Sequence, residues 1–177
     1  MQKAIFLDRD GVLIKAPKIN NKPHSIKKIE DLIILNKVKN ALKLVKGKFL
    51  LIVVTNQPDV SRKKISKKEV LKINNYLKKK LNLDDVFVCY HDNQHRCSCR
   101  KPKPGMLIKA KKKWKIDLEN SFLVGDRKND ILAGKNVGCS NFFINYSYKE
   151  RLPSKKDCTY VKSLYSAVLK IKKSSNE

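Results

Sequence analysis

The sequence predicts a three-layer α/β fold built on a doubly wound, mostly parallel sheet. Two observations predict it. Short, continuous apolar runs rich in branched and aromatic residues recur along the chain, the pattern of strands buried on both faces. Stretches with helical apolar spacing separate them, so strand and crossover helix alternate. A third observation bears on function: polar motifs stand directly after these runs, and in such sheets ligands bind beyond the carboxyl ends of the strands.

The first run is Ala4-Ile5-Phe6-Leu7. An irregular stretch from Lys15 to Ile34 follows, placed to cover or border a site. Val38, Ala41, Leu42 and Val45 then form a helical stripe, and Phe49 to Val54 is the strongest strand run. Val70, Ile73, Leu77 and Leu81 form the next stripe, opened by Ser66 with Glu69 three residues on, a capping-box pattern. Val86-Phe87-Val88 reads as a strand and Tyr90 to Pro104 as irregular. Pro104 starts a helix carrying Met106, Leu107, Ala110 and Trp114. Phe122-Leu123-Val124 and Phe142-Phe143-Ile144 are the last two strands, with a helix after Asp126 between them. Val161, Leu164, Val168 and Ile171 mark a final helix. One domain over 1–172 and a disordered tail over 173–177 are expected.

A chain of 177 residues is long enough to bury a sizeable core. Its 41% hydrophobic content excludes wholesale disorder despite 32% charged residues. No segment approaches the roughly 20 apolar residues of a membrane helix. The first strand begins near Lys3 with no signal segment before it, so a cytoplasmic protein without a membrane partner is expected. Lys plus Arg number 41 against 16 Asp plus Glu, a formal charge of +25. Such a field favours anionic partners without choosing among them. The basic residues are overwhelmingly Lys, whereas dedicated phosphate recognition favours Arg forks. Arg100 and Arg127 stand out because both neighbour motif residues.

Four motifs carry chemistry. In Phe6-Leu7-Asp8-Arg9-Asp10-Gly11-Val12, two carboxylates follow a strand and precede a glycine. Like charges so close need a cation or a proton between them, although an ordinary Asp-Gly turn would show the same letters. In Val53-Val54-Thr55-Asn56-Gln57, an apolar strand ends in hydroxyl and amide groups, and Thr55 could donate to a phosphate oxygen. In Leu123-Val124-Gly125-Asp126-Arg127-Lys128-Asn129-Asp130, another strand-end carboxylate could complete an oxygen-rich Mg²⁺ site. Asp130, one helical turn on, is either a buttress or a capping carboxylate. Finally, Cys89, His91, Cys97 and Cys99 supply four zinc-type ligands within eleven residues. Structural disulfides are not expected in a reducing compartment, so a closed zinc loop over about 89–104 is expected. His95 is a rival ligand, His24 reads as a surface residue, and Cys139 and Cys158 as small core residues.

DRDGV, VVTNQ, the Cys/His loop running into Arg100-Lys101-Pro102-Lys103-Pro104-Gly105-Met106, and LVGDRKND occur in the order found in the haloacid dehalogenase superfamily of phosphatases. The chain resembles in particular its zinc-bearing branch of heptose bisphosphate and histidinol-phosphate phosphatases, over about Ala4 to Ile144. The resemblance implies that fold with no large cap domain. It implies Asp8 as the nucleophile forming an aspartyl-phosphate, and Asp10 as general acid, then base. It implies Mg²⁺ on Asp8, the Asp10 carbonyl and Asp126, and structural Zn²⁺ on Cys89, His91, Cys97 and Cys99. Thr55 and Lys101 would hold the phosphoryl oxygens, and Arg9, Asn56, Arg100 and Arg127 would contact phosphate or substrate. The implied substrate is a small phosphorylated metabolite, with D-glycero-D-manno-heptose 1,7-bisphosphate first and histidinol phosphate or another sugar phosphate as alternatives. The KPKPGM segment is like the heptose branch, the short His91–Cys97 gap like the histidinol-phosphate branch. A monomer is expected. A nucleic-acid partner is not, since no aromatic-interleaved basic strip is present.

Overall fold

The computed structural model describes residues 1–174. In chain order the elements are β1 (Ala4–Leu7), β2 (Lys18–Ile19), β3 (Lys22–Pro23), α1 (Val38–Lys43), β4 (Leu50–Asn56), α2 (Lys67–Lys80), β5 (Asp85–Cys89), α3 (Gly105–Trp114), β6 (Phe122–Gly125), α4 (Lys128–Lys135), β7 (Ser140–Ile144), β8 (Thr159–Val161) and α5 (Leu164–Ser174). Six strands form one sheet in the order β5-β4-β1-β6-β7-β8, every pair parallel. The chain winds from β1 outward through β4 and β5, then crosses to β6 on the other side. The switch point falls at the carboxyl end of β1, where the first motif stands.

Side chains alternate between two cores, as the two-residue period of a strand requires. Ile5, Leu7, Leu51 and Val53 face one layer with α1, α2 and α5, through Ala41, Ile73, Leu77 and Val168. Ala4, Phe6, Ile52 and Val54 face the other, with Met106 and Leu107 of α3 and Ile131 of α4. All four residues of β1 are fully buried. Burying each of its Ile, Phe and Leu side chains stabilises the fold by about 1.5–3 kcal/mol, and the centre of the sheet is therefore a rigid base for the loops above it.

Local structure departs from the sequence reading in five places. The Lys15–Ile34 stretch, read as irregular, contains the β2–β3 hairpin, paired Lys18 to Pro23 and Ile19 to Lys22. Strand β4 begins after Phe49 and runs on through Thr55 and Asn56, so these motif residues lie on the strand itself. The capping box of α2 is half formed: Ser66 accepts the Glu69 N–H at 3.0 Å, but the Glu69 carboxylate accepts the Ile29 N–H at 3.2 Å instead of turning back. Val161 ends an edge strand, β8, rather than opening the last helix. Helix α5 continues through Lys173 and Ser174, residues expected in the tail, and the remainder of that tail, 175–177, lies outside the described residues. Among the described residues no helix is long and apolar enough to cross a membrane.

Candidate active site

Four buried charged groups meet above the switch point. Asp8 follows β1, and its N–H donates to the Val124 carbonyl at 3.0 Å, which extends the ladder and carries it toward β6. Asp126 follows β6, Asp130 sits in the first turn of α4, and Lys101 comes from the loop between β5 and α3. Asp8, Lys101, Asp126 and Asp130 are 7%, 3%, 1% and 3% exposed. The Lys101 Nζ lies 2.7 Å from Asp8 Oδ1, 2.6 Å from Asp130 Oδ1 and 2.7 Å from the Val54 carbonyl. Carboxylate oxygens of Asp8, Asp126 and Asp130 all lie within 4.8 Å of one another.

Three carboxylates share one ammonium here, and the protonation equilibria register the imbalance. Burial pushes the Asp8 carboxyl up to about 6; Lys101 opposes this, while Asp130 and Asp10 add to it. Burial, then the charges of Asp8 and Asp130, hold Asp126 well above the usual carboxylate range. Burial alone would weaken the Lys101 ammonium, but Asp130 and Asp8 outweigh it and raise its pKa. The Tyr148 hydroxyl donates to Asp126 Oδ2 at 2.9 Å, whereas Asp126 Oδ1 is buried with no hydrogen-bond partner. An excess of buried carboxylate with an unpartnered oxygen fits a hard divalent cation, which takes oxygen ligands. Two glycines make the convergence possible. Gly11 has φ +89°, and a Cβ there would lie 1.9 Å from Asp126 Oδ2. A Cβ on Gly125 would lie 2.2 Å from the Asp130 Cβ.

Asp10 is oriented separately from this cluster. Its carboxylate accepts Gln57 Nε2 at 2.9 Å, Ser25 Oγ at 3.2 Å and Arg9 Nε at 3.0 Å. Arg9 corrects the sequence reading. It is 0% exposed, and beyond Asp10 its guanidinium reaches Asn74 of α2 at 3.0 Å, so it braces the motif from below and is not a substrate contact. Asn56 lines the cleft, and its amide also fixes the Lys101 backbone: its Oδ1 accepts the Lys101 N–H at 3.1 Å and its Nδ2 donates to the Lys101 carbonyl at 3.2 Å. Thr55 lines the cleft, with its Oγ1 accepting Gln57 Nε2 at 2.9 Å. Gln57, Ser25 and Tyr148 were not singled out in the sequence. Gln57 closes the VVTNQ motif, but the other two lie in segments with no periodicity.

These groups open into a cleft of about 430 Å³, lined by Asp8, Asp10, Thr55, Lys101 and Asp130 at its floor. The hairpin borders it through Lys22 and Pro23, with His24 and Ser25 just beyond. Arg100 and Arg127 also line it. Arg100 is tethered to Asn93 Oδ1 at 2.7 Å and to the His91 carbonyl at 3.2 Å, and Arg127 pairs with Glu150. A larger depression of about 760 Å³, around Lys3, Phe122 and Ser140, lies at the other end of the strands and contains none of these carboxylates.

The sulfur and imidazole ligands form a second cluster beside the first. The Sγ of Cys99 lies 3.2 Å from that of Cys89 and 3.6 Å from that of Cys97, and Cys89 and Cys97 are 3.8 Å apart. His91 Nδ1 lies 3.7 Å from Cys89 Sγ and 3.3 Å from Cys99 Sγ. A tetrahedral zinc with about 2.3 Å Zn–S and 2.0–2.1 Å Zn–N bonds would place its ligands roughly 3.5–3.8 Å apart, so the donor set fits. His95 is excluded as the rival: its Nδ1 accepts the Asp92 N–H at 3.1 Å and it stands outside the cluster. The cluster clamps the loop that delivers Arg100 and Lys101. Lys103 Nζ donates to the Cys97 carbonyl at 2.9 Å, and Gly105 N–H donates to the Ser98 carbonyl at 3.1 Å.

A doubly wound sheet with strand-end carboxylates at its switch point defines a class, and comparison with known proteins agrees. Residues 3–172 match the polynucleotide kinase 3 phosphatase family, and the chain belongs to it. The chain is 35% identical over 146 residues to a D-glycero-beta-D-manno-heptose-1,7-bisphosphate 7-phosphatase of Helicobacter pylori, covering 78% of this chain and 81% of the relative. It is 35% identical over 143 residues to the histidine biosynthesis bifunctional protein HisB of Blochmanniella floridana, covering 77% of this chain but 39% of that protein. In fold it is similar to the D,D-heptose 1,7-bisphosphate phosphatase of B. bronchiseptica, solved with magnesium and phosphate, at a TM-score of 0.83 and 23% identity over 98% of this chain and 99% of that one.

Proposed function

We propose that this phosphatase removes the 7-phosphate of D-glycero-D-manno-heptose 1,7-bisphosphate through an aspartyl-phosphate on Asp8. The observation that carries the chemistry is the convergence of the Asp8, Asp126 and Asp130 carboxylates within 4.8 Å of one another, with Lys101 paired to Asp8 and Asp130 at the floor of the cleft. The relative of Helicobacter pylori supports the choice of substrate.

Asp8, Asp126 and the loop at Asp10 would hold Mg²⁺, with Asp130 beside them; when bound, the ion neutralises phosphate charge and polarises the phosphoryl oxygens. The work of the chain's own residues follows from their contacts. Lys101 fixes the Asp8 carboxylate through Oδ1 and brings a positive charge to the site where a dianionic phosphate would otherwise repel it. Thr55 stands at the cleft floor to donate to a phosphoryl oxygen. Asp8 attacks phosphorus, its carboxylate oxygen forming the new bond as the ester P–O bond breaks, and Asp10 gives a proton to the departing alkoxide oxygen. Asp10 then takes a proton from water, which attacks the aspartyl-phosphate and frees inorganic phosphate. Arg9, Gln57 and Ser25 keep the Asp10 carboxylate aimed for both transfers. Zn²⁺ on Cys89, His91, Cys97 and Cys99 would be structural, holding the loop that presents Arg100 and Lys101.

The test is phosphate release with Mg²⁺ from heptose 1,7-bisphosphate, histidinol phosphate and a 3′-phosphorylated oligonucleotide. The heptose bisphosphate is expected to give the highest kcat/KM, and Asp8→Asn to abolish release. Preference for histidinol phosphate or the oligonucleotide would refute the substrate, and turnover by Asp8→Asn would refute the nucleophile.

A further inference from the structure

The charges around the cleft are almost all spoken for. Arg62 is held by Asp92, at 2.6 Å, and by Asp59, at 3.3 Å. Arg127 pairs with Glu150, Arg100 is tethered to Asn93 and the His91 carbonyl, and Lys101 is locked between Asp8 and Asp130. Two basic side chains on the wall differ. Lys22 and His24 line the same cleft as Asp8, are exposed, and among the described residues make no side-chain hydrogen bond, ion pair or ring contact.

The element that carries them is nevertheless fastened down. Asn21 Nδ2 donates to the Ser147 carbonyl at 3.1 Å, and the Lys149 N–H donates to the Asn21 carbonyl at 3.0 Å. The Lys18 Nζ lies 5.6 Å and 5.2 Å from the ring centres of Tyr146 and Tyr148, and Tyr148 in turn holds Asp126. On the other flank the Ser25 hydroxyl donates to Asp10. The hairpin is thus pinned on both sides to the segments that build the carboxylate cluster, while its two remaining cationic or imidazole groups are left facing the cavity. Ordering a loop costs conformational entropy, and a pinned hairpin has met that cost before any ligand arrives.

We propose that Lys22 and His24 form a subsite for a second anionic group on the substrate, one distant from the phosphate under attack, and so make the enzyme selective for a bis-anionic ester over its singly phosphorylated counterpart. The inference rests on the phosphatase reading above and adds where the selectivity resides. A cleft of about 430 Å³ is in the range that accommodates a small metabolite. A cation with no internal partner can give its full set of donors to a phosphate, and such charge-assisted bonds are the strong ones.

The experiment compares kcat/KM on heptose 1,7-bisphosphate and heptose 7-phosphate for the wild-type protein, Lys22→Ala/His24→Ala and Lys22→Arg. The wild-type enzyme is expected to favour the bisphosphate. The double variant is expected to reduce that preference by about tenfold or more, the range of one or two charged hydrogen bonds, mainly through KM. Lys22→Arg is expected to keep most of it, which a purely structural role for the hairpin would not require. An unchanged preference in the double variant, with the wild-type enzyme active, overturns the subsite and leaves the phosphatase reading intact. Absence of phosphate release from both substrates by the wild-type protein overturns that reading, and the subsite with it.

Discussion

Lys101→Met removes one charge from the centre of the cluster while keeping an unbranched side chain of similar length. The Lys101 Nζ makes three short contacts, to Asp8, Asp130 and the Val54 carbonyl, and is 3% exposed. Without it Asp8 and Asp130 lose their ion-pair partner, and a buried carbonyl loses its donor. Removing one partner of a buried ion pair costs about 3–5 kcal/mol, and uptake of protons by Asp8 and Asp126, both already shifted upward, holds the loss within that range at neutral pH. For a domain of this size 1 kcal/mol corresponds to about 2–4 °C in Tm, so a drop of about 10 °C is expected in a chelator. The same change removes the ammonium that competes with the ion for the Asp8 and Asp130 oxygens, so added Mg²⁺ should raise the Tm of the variant by more than that of the wild-type protein. Thermal unfolding followed by circular dichroism, with and without Mg²⁺, reads both quantities. A loss below about 1 kcal/mol, or a smaller Mg²⁺ response in the variant, would refute the view that Lys101 balances three converging carboxylates.

Three further outcomes follow from the same geometry. Gly11→Ala puts a methyl group 1.9 Å from Asp126 Oδ2 at a backbone φ of +89°; strain of about 1–3 kcal/mol and lost Mg²⁺ affinity are expected by calorimetric titration, and wild-type affinity would contradict them. In a chelator, Asp8 has its folded pKa raised from 3.8 to about 6, so its contribution to stability is full below the lower value and is lost as pH rises through the upper one. The stabilisation given by Mg²⁺ should therefore grow over that window and level off above it, and a Mg²⁺ effect that shrinks as pH rises would be incompatible. Metal analysis should find one zinc per chain, and its removal by a strong chelator should lower activity together with Tm, because the Cys/His loop carries Arg100 and Lys101; full activity after complete zinc loss would separate the loop from the site.

The parts of this structure visible in the sequence are those that leave a local signature. Strands β1, β4, β6 and β7 are continuous apolar runs because both faces are covered, the edge strand β5 is a half-buried one, and the helices between them carry apolar stripes. Strand β8 is a three-residue edge strand, Thr159–Val161, with only Val161 buried, and the β2–β3 hairpin is two residues per strand with its Ile19 exposed, so neither leaves such a mark. Each acidic motif was visible as a carboxylate just past a strand, whereas the partners that give those carboxylates their properties were not. Asp130 meeting Lys101, Tyr148 meeting Asp126 and Ser25 meeting Asp10 are long-range contacts that no spacing records. Arg9 could have been placed correctly by extending the two-residue alternation of β1: Leu7 faces the α2 layer, Asp8 the opposite side, and Arg9 the α2 layer again, where it meets Asn74.

The most direct measurement is acid-quench trapping of the enzyme during turnover of a radiolabelled phosphate ester with Mg²⁺, followed by mapping of the labelled peptide. Covalent phosphate is expected on the peptide that contains Asp8, and is expected to be absent in Asp8→Asn. Sustained turnover with no label on Asp8, or with the label on another residue, would contradict the assignment of this carboxylate as the group that takes the phosphate.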